Sequence, residues 1–386
     1  MTPNFNLDTV RLLGATEVTY TRRGQLGTSE LLAQAFKQSL AAAGLKASDI
    51  DGLGVASFTH APDRAIDLAW KLGLKVGWIM DDSNGGASGL NILQHAIRAV
   101  QAGDARCIAI VAGDHFQAKD FQQLVENYNQ TTYDHLRPLG AGSPNHRFAM
   151  LTANQMRKLG LERADYAALV MRQRLWAGMN PGAVYRSPMS LDDYLNAPEV
   201  ADPLTRLDCV PVVDGANALI VMRADHPAAQ NQPAITVKAL RSFHNIDDQQ
   251  GDGLSTGLAA LAPALWADSG LSPADMDVLS IYDDYPVMVL AQLQDLGFFR
   301  ADNAKQFIHE SIATGRVPLN TSGGQLSAGQ AGAACSLHGL VEVMRQLSGQ
   351  AGERQVAQAR YGLVTGYGMV EYRYGMCSTA LVLEAL

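Results

Sequence analysis

Two stretches of the chain repeat one plan in the same order, and this internal duplication restricts the fold more than any other feature of the 386 residues. Residues 31–55 (LLAQAFKQSLAAAGLKASDIDGLGV) set Leu32, Phe36, Leu40 and Ala43 on one helical face, stop at Gly44, turn through SDID and end in a short strand at Val55. Residues 258–283 (LAALAPALWADSGLSPADMDVLSIYD) do the same with Leu258, Leu261, Leu265 and Trp266, a stop at Gly270, the turn ADMD and the strand VLSIY. Further on, 85–114 and 323–368 each run from a Gly-rich turn through a helix to a strand that ends in Gly. In the second of these, Leu337, Leu340, Val341, Met344 and Leu347 form an apolar stripe at helical spacing. Two ordered matches predict a duplicated α/β unit with largely parallel or mixed sheets, covered by helices on both faces.

Between these units, roughly 116–208 has another character, with Tyr128, Tyr133, Tyr166, Tyr185 and Tyr194, the loop RPLGAGSPNHR at 137–147 and the run NPGAVYRSPMSLDDYL. An insertion of this length between core elements reads as a cap or substrate-facing lobe. A strand from Ala218 to Ala224 then closes the first half, and a Pro/Ala-rich linker at 224–234 separates it from the second. The expected division is therefore 1–230, which includes the lobe, and 231–386.

Composition excludes several classes of function. With 30 basic and 38 acidic residues and a net charge of -8, without a basic run, the chain lacks the footprint of a nucleic-acid binder. No window approaches 18 uninterrupted apolar residues, and MTPNFNLDTVRLLGATEVTY has no cationic region followed by an apolar one, so we expect a cytoplasmic protein without a membrane span. Cys107, Cys209, Cys335 and Cys377 are far apart, with neither paired nor zinc-ligand spacing. Cys107, at the head of CIAIVAG, reads as a core residue. Of the 36 glycines, ten cluster at 85–89, 323–332 and 362–368, and such turns ahead of helices offer backbone N–H groups to an anion. Neither GGASGL nor GGQLSAGQAG carries a nucleotide signature, which weakens kinase and dehydrogenase readings. The Asp-Asp pairs at 81–82, 192–193, 247–248 and 283–284 stand in unrelated contexts and read as turns and caps, so no metal site is expected. His338 reads as a helix-face residue, Asp114 and His115 as residues beyond a strand end, and His146 with Arg147 as loop surface.

The duplicated plan, NGGASG before a helix, IYDDY after a strand, NTSGGQLSAGQAGA, and the ending GYGMVEYRYGMCSTALVLEAL together resemble the thiolase superfamily along essentially the whole chain, most of all the sterol-carrier-protein or lipid-transfer type. The resemblance implies a duplicated five-layered αβαβα thiolase fold with mixed sheets, an acyl-CoA thioester as substrate, no covalently bound cofactor, and a homodimer joined through the edge strand of each first half. Thiolases carry a nucleophilic Cys at the position of Gly86, so a covalent acyl-cysteine is excluded there. Their Gly-His-Pro loop matches Gly329-Gln330-Ala331, where Gln330 can donate a hydrogen bond and cannot take a proton. Their acid/base Cys matches Cys377, and their Asn-Glu-Ala-Phe segment matches Tyr282-Asp283-Asp284-Tyr285.

A phenol at 282 is similar to thiolase-fold steroid side-chain aldolases, which lack the Cys nucleophile, use tyrosines and pair with a small OB-fold protein bearing a zinc ribbon. The reading that follows is retro-aldol cleavage of a β-hydroxyacyl-CoA. Tyr282, Asp283, Gln330 and Cys377 are its catalytic candidates; Gly86, Ser88, His115, Gly323, Gly324, Ser327 and Gly368 are its substrate-binding candidates. Two alternatives stand beside it: a non-catalytic acyl-CoA or lipid binder or scaffold, and an acyltransferase using Cys377 or Ser88.

Overall fold

The computed structural model describes residues 7–116, 118–230, 235–246, 250–371 and 374–386. The linker residues 231–234, beside which the division at 230/231 was expected, and the pair Asp247-Asp248 lie outside the described residues. The main strands are β1 (Val10–Thr21), β2 (Gly52–Ala56), β3 (Trp78–Asp82), β4 (Cys107–Asp114), β5 (Asp214–Arg223), β6 (Ile235–His244), β7 (Val278–Ser280), β8 (Tyr361–Glu371) and β9 (Tyr374–Ala385). They form one mixed sheet in the order β3-β2-β4-β5-β1-β6-β9-β8-β7. The order mirrors about its middle: β1, β5, β4 and β2 correspond to β6, β9, β8 and β7. The place of β3 is taken by Leu319, which bridges Leu279 in parallel. The duplication read from sequence is thus present in the strand order, and among the described residues the two half-sheets meet where β1 pairs with β6 at Leu12–Ile235.

The helices that matter for the site are α1 (Thr28–Ala43), α2 (Ser88–Ala102), α3 (Pro144–Leu159), α4 (Arg163–Gly178), α5 (Gly257–Ser269), α6 (Pro286–Asp295) and α7 (Cys335–Leu347). Gly44 and Gly270 end α1 and α5 in the left-handed conformation, at φ 65° and 68°, which glycine adopts without the Cβ penalty. Alternation along the strands sorts the core into layers. Cys107, Ala109 and Val111 of β4 join Leu32 and Phe36 of α1 in an outer cluster. Ile108, Ile110 and Ala112 face α2 and α7 in a middle cluster that also takes Val364 and Leu381 from the other half of the sheet. Ala239, Leu363 and Val382 face outward again, onto α5 and α6. The result is the five-layered αβαβα arrangement, with two central helices shared by both half-sheets. In α7, Leu337, Leu340, Val341 and Met344 are all buried, each worth roughly 1.5–3 kcal/mol of apolar burial.

The lobe contains the short helix Ala118–Glu126 together with α3 and α4. The expected loop at 137–147 is cut short because Ser143 caps α3, its Oγ accepting from the Asn145 N–H at 3.2 Å, and Pro144 fits the first helical position. Among the described residues, no helix is long and apolar enough to cross a membrane.

Candidate active site

The segment Ile281–Tyr285 leaves β7 and runs beneath the lobe. Its backbone is tied down: the Tyr282 N–H donates to Thr365 Oγ1 at 2.9 Å, and Gln292 Nε2 donates to the Tyr282 carbonyl at 2.7 Å. The phenol of Tyr282 therefore has a fixed origin. It points at the helix-opening turn Gly85–Ala87, where a Cβ added to Gly86 would lie 2.1 Å from the ring and 2.4 Å from its oxygen. The volume that a side chain at 86 would need is filled by Tyr282.

Around the Tyr282 oxygen stand three polar groups drawn from distant parts of the chain. The hydroxyl donates to Asp284 Oδ2 at 3.1 Å and lies 3.3 Å from the thiol of Cys335. Gln330 Nε2 donates to Asp284 Oδ1 at 2.6 Å and approaches the phenol at 3.5 Å. The Gln330 loop is held by backbone bonds to Pro211 and Val213. All four residues line a cavity of about 230 Å³ whose walls include Phe58, Phe116, Phe121, Leu124, Phe148 and Met288. Burial dominates the proton affinities here: it lifts the Asp284 carboxyl to about 7, with the Tyr282 hydrogen bond opposing and nearby Asp283 adding. Burial, followed by the charge of Asp284, drives both the Tyr282 phenol and the Cys335 thiol well above their usual ranges.

The expected residues separate into two groups. Tyr282, Gln330, Gly86 and Gly368 line the cavity, Gly368 because a Cβ there would meet the Asn84 carbonyl at 2.3 Å. Asp283, expected in the reaction, instead points away: it accepts the Gln325 N–H at 2.9 Å and Gln173 Nε2 at 2.6 Å, holding the turn that begins at Gly323 and Gly324. That carboxyl, lifted to about 6 by burial against these donors, is a backbone anchor. Ser327 is buried and accepts from Arg174 Nε at 3.0 Å. Ser88, fully buried at the start of α2, has no hydrogen-bond partner for its Oγ among the described residues and does not line the cavity. Cys377 pairs with Gly368 and His244 in the sheet, outside the cavity wall, and burial lifts its thiol to about 11. His115 lines a neighbouring cavity, 3.3 Å from Asp214. His338 is buried between Glu17, at 3.0 Å, and Ser322, at 2.8 Å, while Arg147 is 1% exposed and so far from loop surface.

Sequence reasoning missed four site residues: Asp284, Cys335, Tyr128 and Asn145. Tyr128, from the lobe, faces the Gly85 turn, with the Arg147 guanidinium 5.8 Å from its ring centre. Arg147 Nη1 donates to Thr132, and its Nε and Nη2 find no hydrogen-bond partner among the described residues. Asn145 accepts from the Tyr285 hydroxyl at 2.6 Å, and Tyr285 stacks on Phe148. A signal for Cys335 existed in the chain itself: GAAC at 332–335 repeats GGAS at 85–88 in the other half.

Among the described residues, no group of three or more His, Cys, Asp or Glu side chains is placed to hold a metal ion. The arrangement instead offers a buried carboxyl that titrates near neutrality, a phenol and a thiol within reach of it, and an amide donor beside them, which is equipment for moving protons at an apolar substrate.

The chain is similar to known proteins along most of its length. The Thiolase C-terminal domain-like family matches residues 241–384. A 17-hydroxy-3-oxo-4-pregnene-20-carboxyl-CoA lyase of Mycobacterium tuberculosis is 31% identical over 92% of this chain and 94% of its own length. A steroid side-chain-cleaving aldolase of Thermomonospora curvata is 27% identical over 87% of this chain and 89% of its own. Of solved structures, the Ltp2-ChsH2(DUF35) aldolase superposes with a TM-score of 0.82 at 25% identity, covering 98% of both chains. A monomeric SCP2-thiolase-like protein of Mycobacterium smegmatis shares the fold, with a TM-score of 0.73 at 15% identity over 98% of this chain and 78% of that one. The chain belongs to the thiolase superfamily, in its sterol-carrier-protein-type branch and close to the steroid side-chain aldolases.

Proposed function

We propose that the protein is a carbon–carbon lyase that cleaves a β-hydroxyacyl-CoA by a retro-aldol reaction. The observation that carries this reading is the occupation of the Gly86 side-chain space by the Tyr282 phenol, itself hydrogen-bonded to Asp284. A covalent acyl-enzyme has no nucleophile at 86, while a proton acceptor for a substrate hydroxyl is in place. Asp284, its carboxyl lifted to about 7 by burial, takes the Tyr282 proton as Tyr282 takes that of the β-hydroxyl. The electrons of the breaking bond move into the thioester, and the enolate oxygen accepts from Gln330.

The apolar walls fit a bulky, largely hydrocarbon carbonyl product, in keeping with the steroid thioester named for the Mycobacterium tuberculosis relative. The CoA handle has its own space. Phe116, Phe121 and Val212 are shared with a second cavity of about 620 Å³, into which Arg22, Arg23 and His115 project. Arg22 and Arg23 are exposed at its rim, an arrangement suited to phosphate groups in a protein of net charge -8. Asp214 also lines that cavity, its oxygens engaged by the N–H groups of Gly24 and Phe116.

We further take the chain to be a cytoplasmic homodimer of halves 1–230 and 231–386, joined through edge strand β3. Beside that edge Trp70 is 81% and Ile66 60% exposed on one helical face, with Ile79 projecting from the strand. A small OB-fold zinc-ribbon protein is the expected partner, by likeness to the two-component Ltp2-ChsH2(DUF35) aldolase.

The test is to give purified protein, with and without such a partner, a β-hydroxyacyl-CoA and to follow release of ketone or aldehyde. Release supports the lyase. Binding of CoA esters with no product under either condition would replace it with the carrier reading.

A further inference from the structure

Retro-aldol cleavage leaves an enolate whose α-carbon needs a proton, and the scheme above names no donor for it. Three thiols compete for that step. Cys377 does not line the reaction cavity. Cys209 does, but it lies at the Asn145 end, where its thiol faces the Thr205 carbonyl at 3.5 Å and Asn145 Oδ1 at 3.8 Å. Cys335 lines the cavity at its polar end, 5% exposed, with Sγ 3.3 Å from the Tyr282 oxygen, which in turn is 3.1 Å from Asp284.

We infer that Cys335 is the acid that protonates the α-carbon of the thioester enolate, and that Tyr282 and Asp284 return the proton to it. The inference rests on the lyase reading and completes its chemistry. In the first step the β-hydroxyl proton reaches Asp284 by way of Tyr282, the carbon–carbon electron pair becomes the enolate, and the β-carbon becomes a carbonyl. In the second the Cys335 S–H bond breaks, its proton forms the new C–H bond at the α-carbon as the enolate electrons close on it, and a thiolate remains. In the third Tyr282 gives its proton to that thiolate and recovers one from Asp284. All groups end as they began, and the substrate's hydroxyl proton has in effect moved to its α-carbon without an outside acid or base. The neutral thiol that burial enforces at Cys335 is the form this step requires. The carboxyl near neutrality is the form required to drive the return.

Run backwards, the same relay exchanges the α-hydrogens of a product thioester with solvent, which gives a readout separate from cleavage. With propionyl-CoA as the probe in D2O, mass spectrometry of the thioester should show α-deuterium incorporation catalysed by the unaltered protein. Cys335→Ala should lower that exchange about 100-fold or more, within the usual span for loss of a positioned acid or base. Its KM for a β-hydroxyacyl-CoA should change far less than the exchange rate, since one small group of the cavity wall is lost. Cys335→Ser keeps the size and a hydrogen bond to Tyr282 but offers a far weaker acid, so it should resemble the alanine variant; a packing role alone would leave the serine variant near full rate.

Undiminished exchange in both Cys335 variants overturns the inference while cleavage by the unaltered protein keeps the lyase reading standing. So does loss of exchange in Cys377→Ala or Cys209→Ala in place of Cys335→Ala. If the unaltered protein binds propionyl-CoA and neither cleaves nor exchanges, the lyase reading itself has failed.

Discussion

The two helix-opening turns at the centre of the molecule have the same backbone and opposite chemistry. Gly85–Ala87 and Gly332–Ala334 are each a single 3-10 turn followed at once by a central helix, beginning at Ser88 and at Cys335. The helices cross where a Cβ on Gly89 would meet Leu337 and Ser336 within 2.7 Å, so both turns approach one point. In the first half the functional side chain is missing at Gly86, and the hydroxyl at Ser88 is sealed in the core. In the second half the equivalent of Ser88 is a thiol that faces the cavity. Tyr282 stands between them, using space given up by one turn to reach the thiol on the other. Duplication supplied two such turns, and of the two it is the second that brings a reactive side chain to the cavity.

The sharpest way to break that comparison is Tyr282→Phe, which should lower kcat by roughly 1,000-fold while binding of CoA esters is retained, checked by steady-state kinetics beside titration calorimetry. Unchanged turnover would remove the phenol from the chemistry. Next in size, Gly86→Cys should lower lyase activity about 100-fold without creating thiolysis, because its Cβ would sit 2.1 Å from a ring anchored at its backbone. Assay for CoA-dependent thiolytic cleavage decides this, and any such activity would show that the first turn is still usable.

Asp284→Asn should cost about 100-fold in kcat at pH 8. The wild-type profile should rise with pH through about 7, as Asp284 becomes an ionised acceptor, and that limb should vanish in the variant. The stability sign runs the other way. A folded carboxyl lifted above its unfolded value near 3.9 contributes its stability while protonated and loses it as pH climbs towards 7. The asparagine variant should therefore be more stable than wild type at pH 8, by on the order of 2 kcal/mol since the carboxyl faces a cavity, and much less so at pH 5, by thermal denaturation. Asp283→Asn gives the smallest effect on rate: the acid limb should persist, with a stability loss of about 1–3 kcal/mol because an amide nitrogen replaces the oxygen that accepts from the Leu326 N–H and Gln173 Nε2.

Much of the fold was legible because it is periodic and occurs twice. Helical stripes and Gly stops in one half were checked by those in the other, and the family's motifs lay in order along the chain. The cavity was legible where a motif position carried an unusual residue, as at Gly86, Tyr282 and Gln330. What stayed hidden depends on direction and on distance through space. Asp283 and Asp284 are neighbours in sequence, and only the path of the backbone after β7 turns one towards N–H donors of the Gly324 turn and the other towards the phenol. Cys335 meets Tyr282 across 53 positions of sequence. Tyr128 and Asn145 come from the lobe, whose packing over the cavity follows no short-range pattern.

The placement of β9 has a consequence for how the molecule is made. This strand, residues 374–385, sits between β6 and β8 and supplies Leu381 and Leu383 to the cluster that also contains Leu90, Ile97 and Ile108. The hydrophobic surface of α2 and β4, synthesised earlier, thus lacks part of its cover until Leu381 and Leu383 have left the ribosome. Domain-by-domain closure during translation is unavailable to the central layer, and the nascent chain must carry sticky, unfinished surface for most of its synthesis. At about 5–20 residues per second that is an interval of tens of seconds.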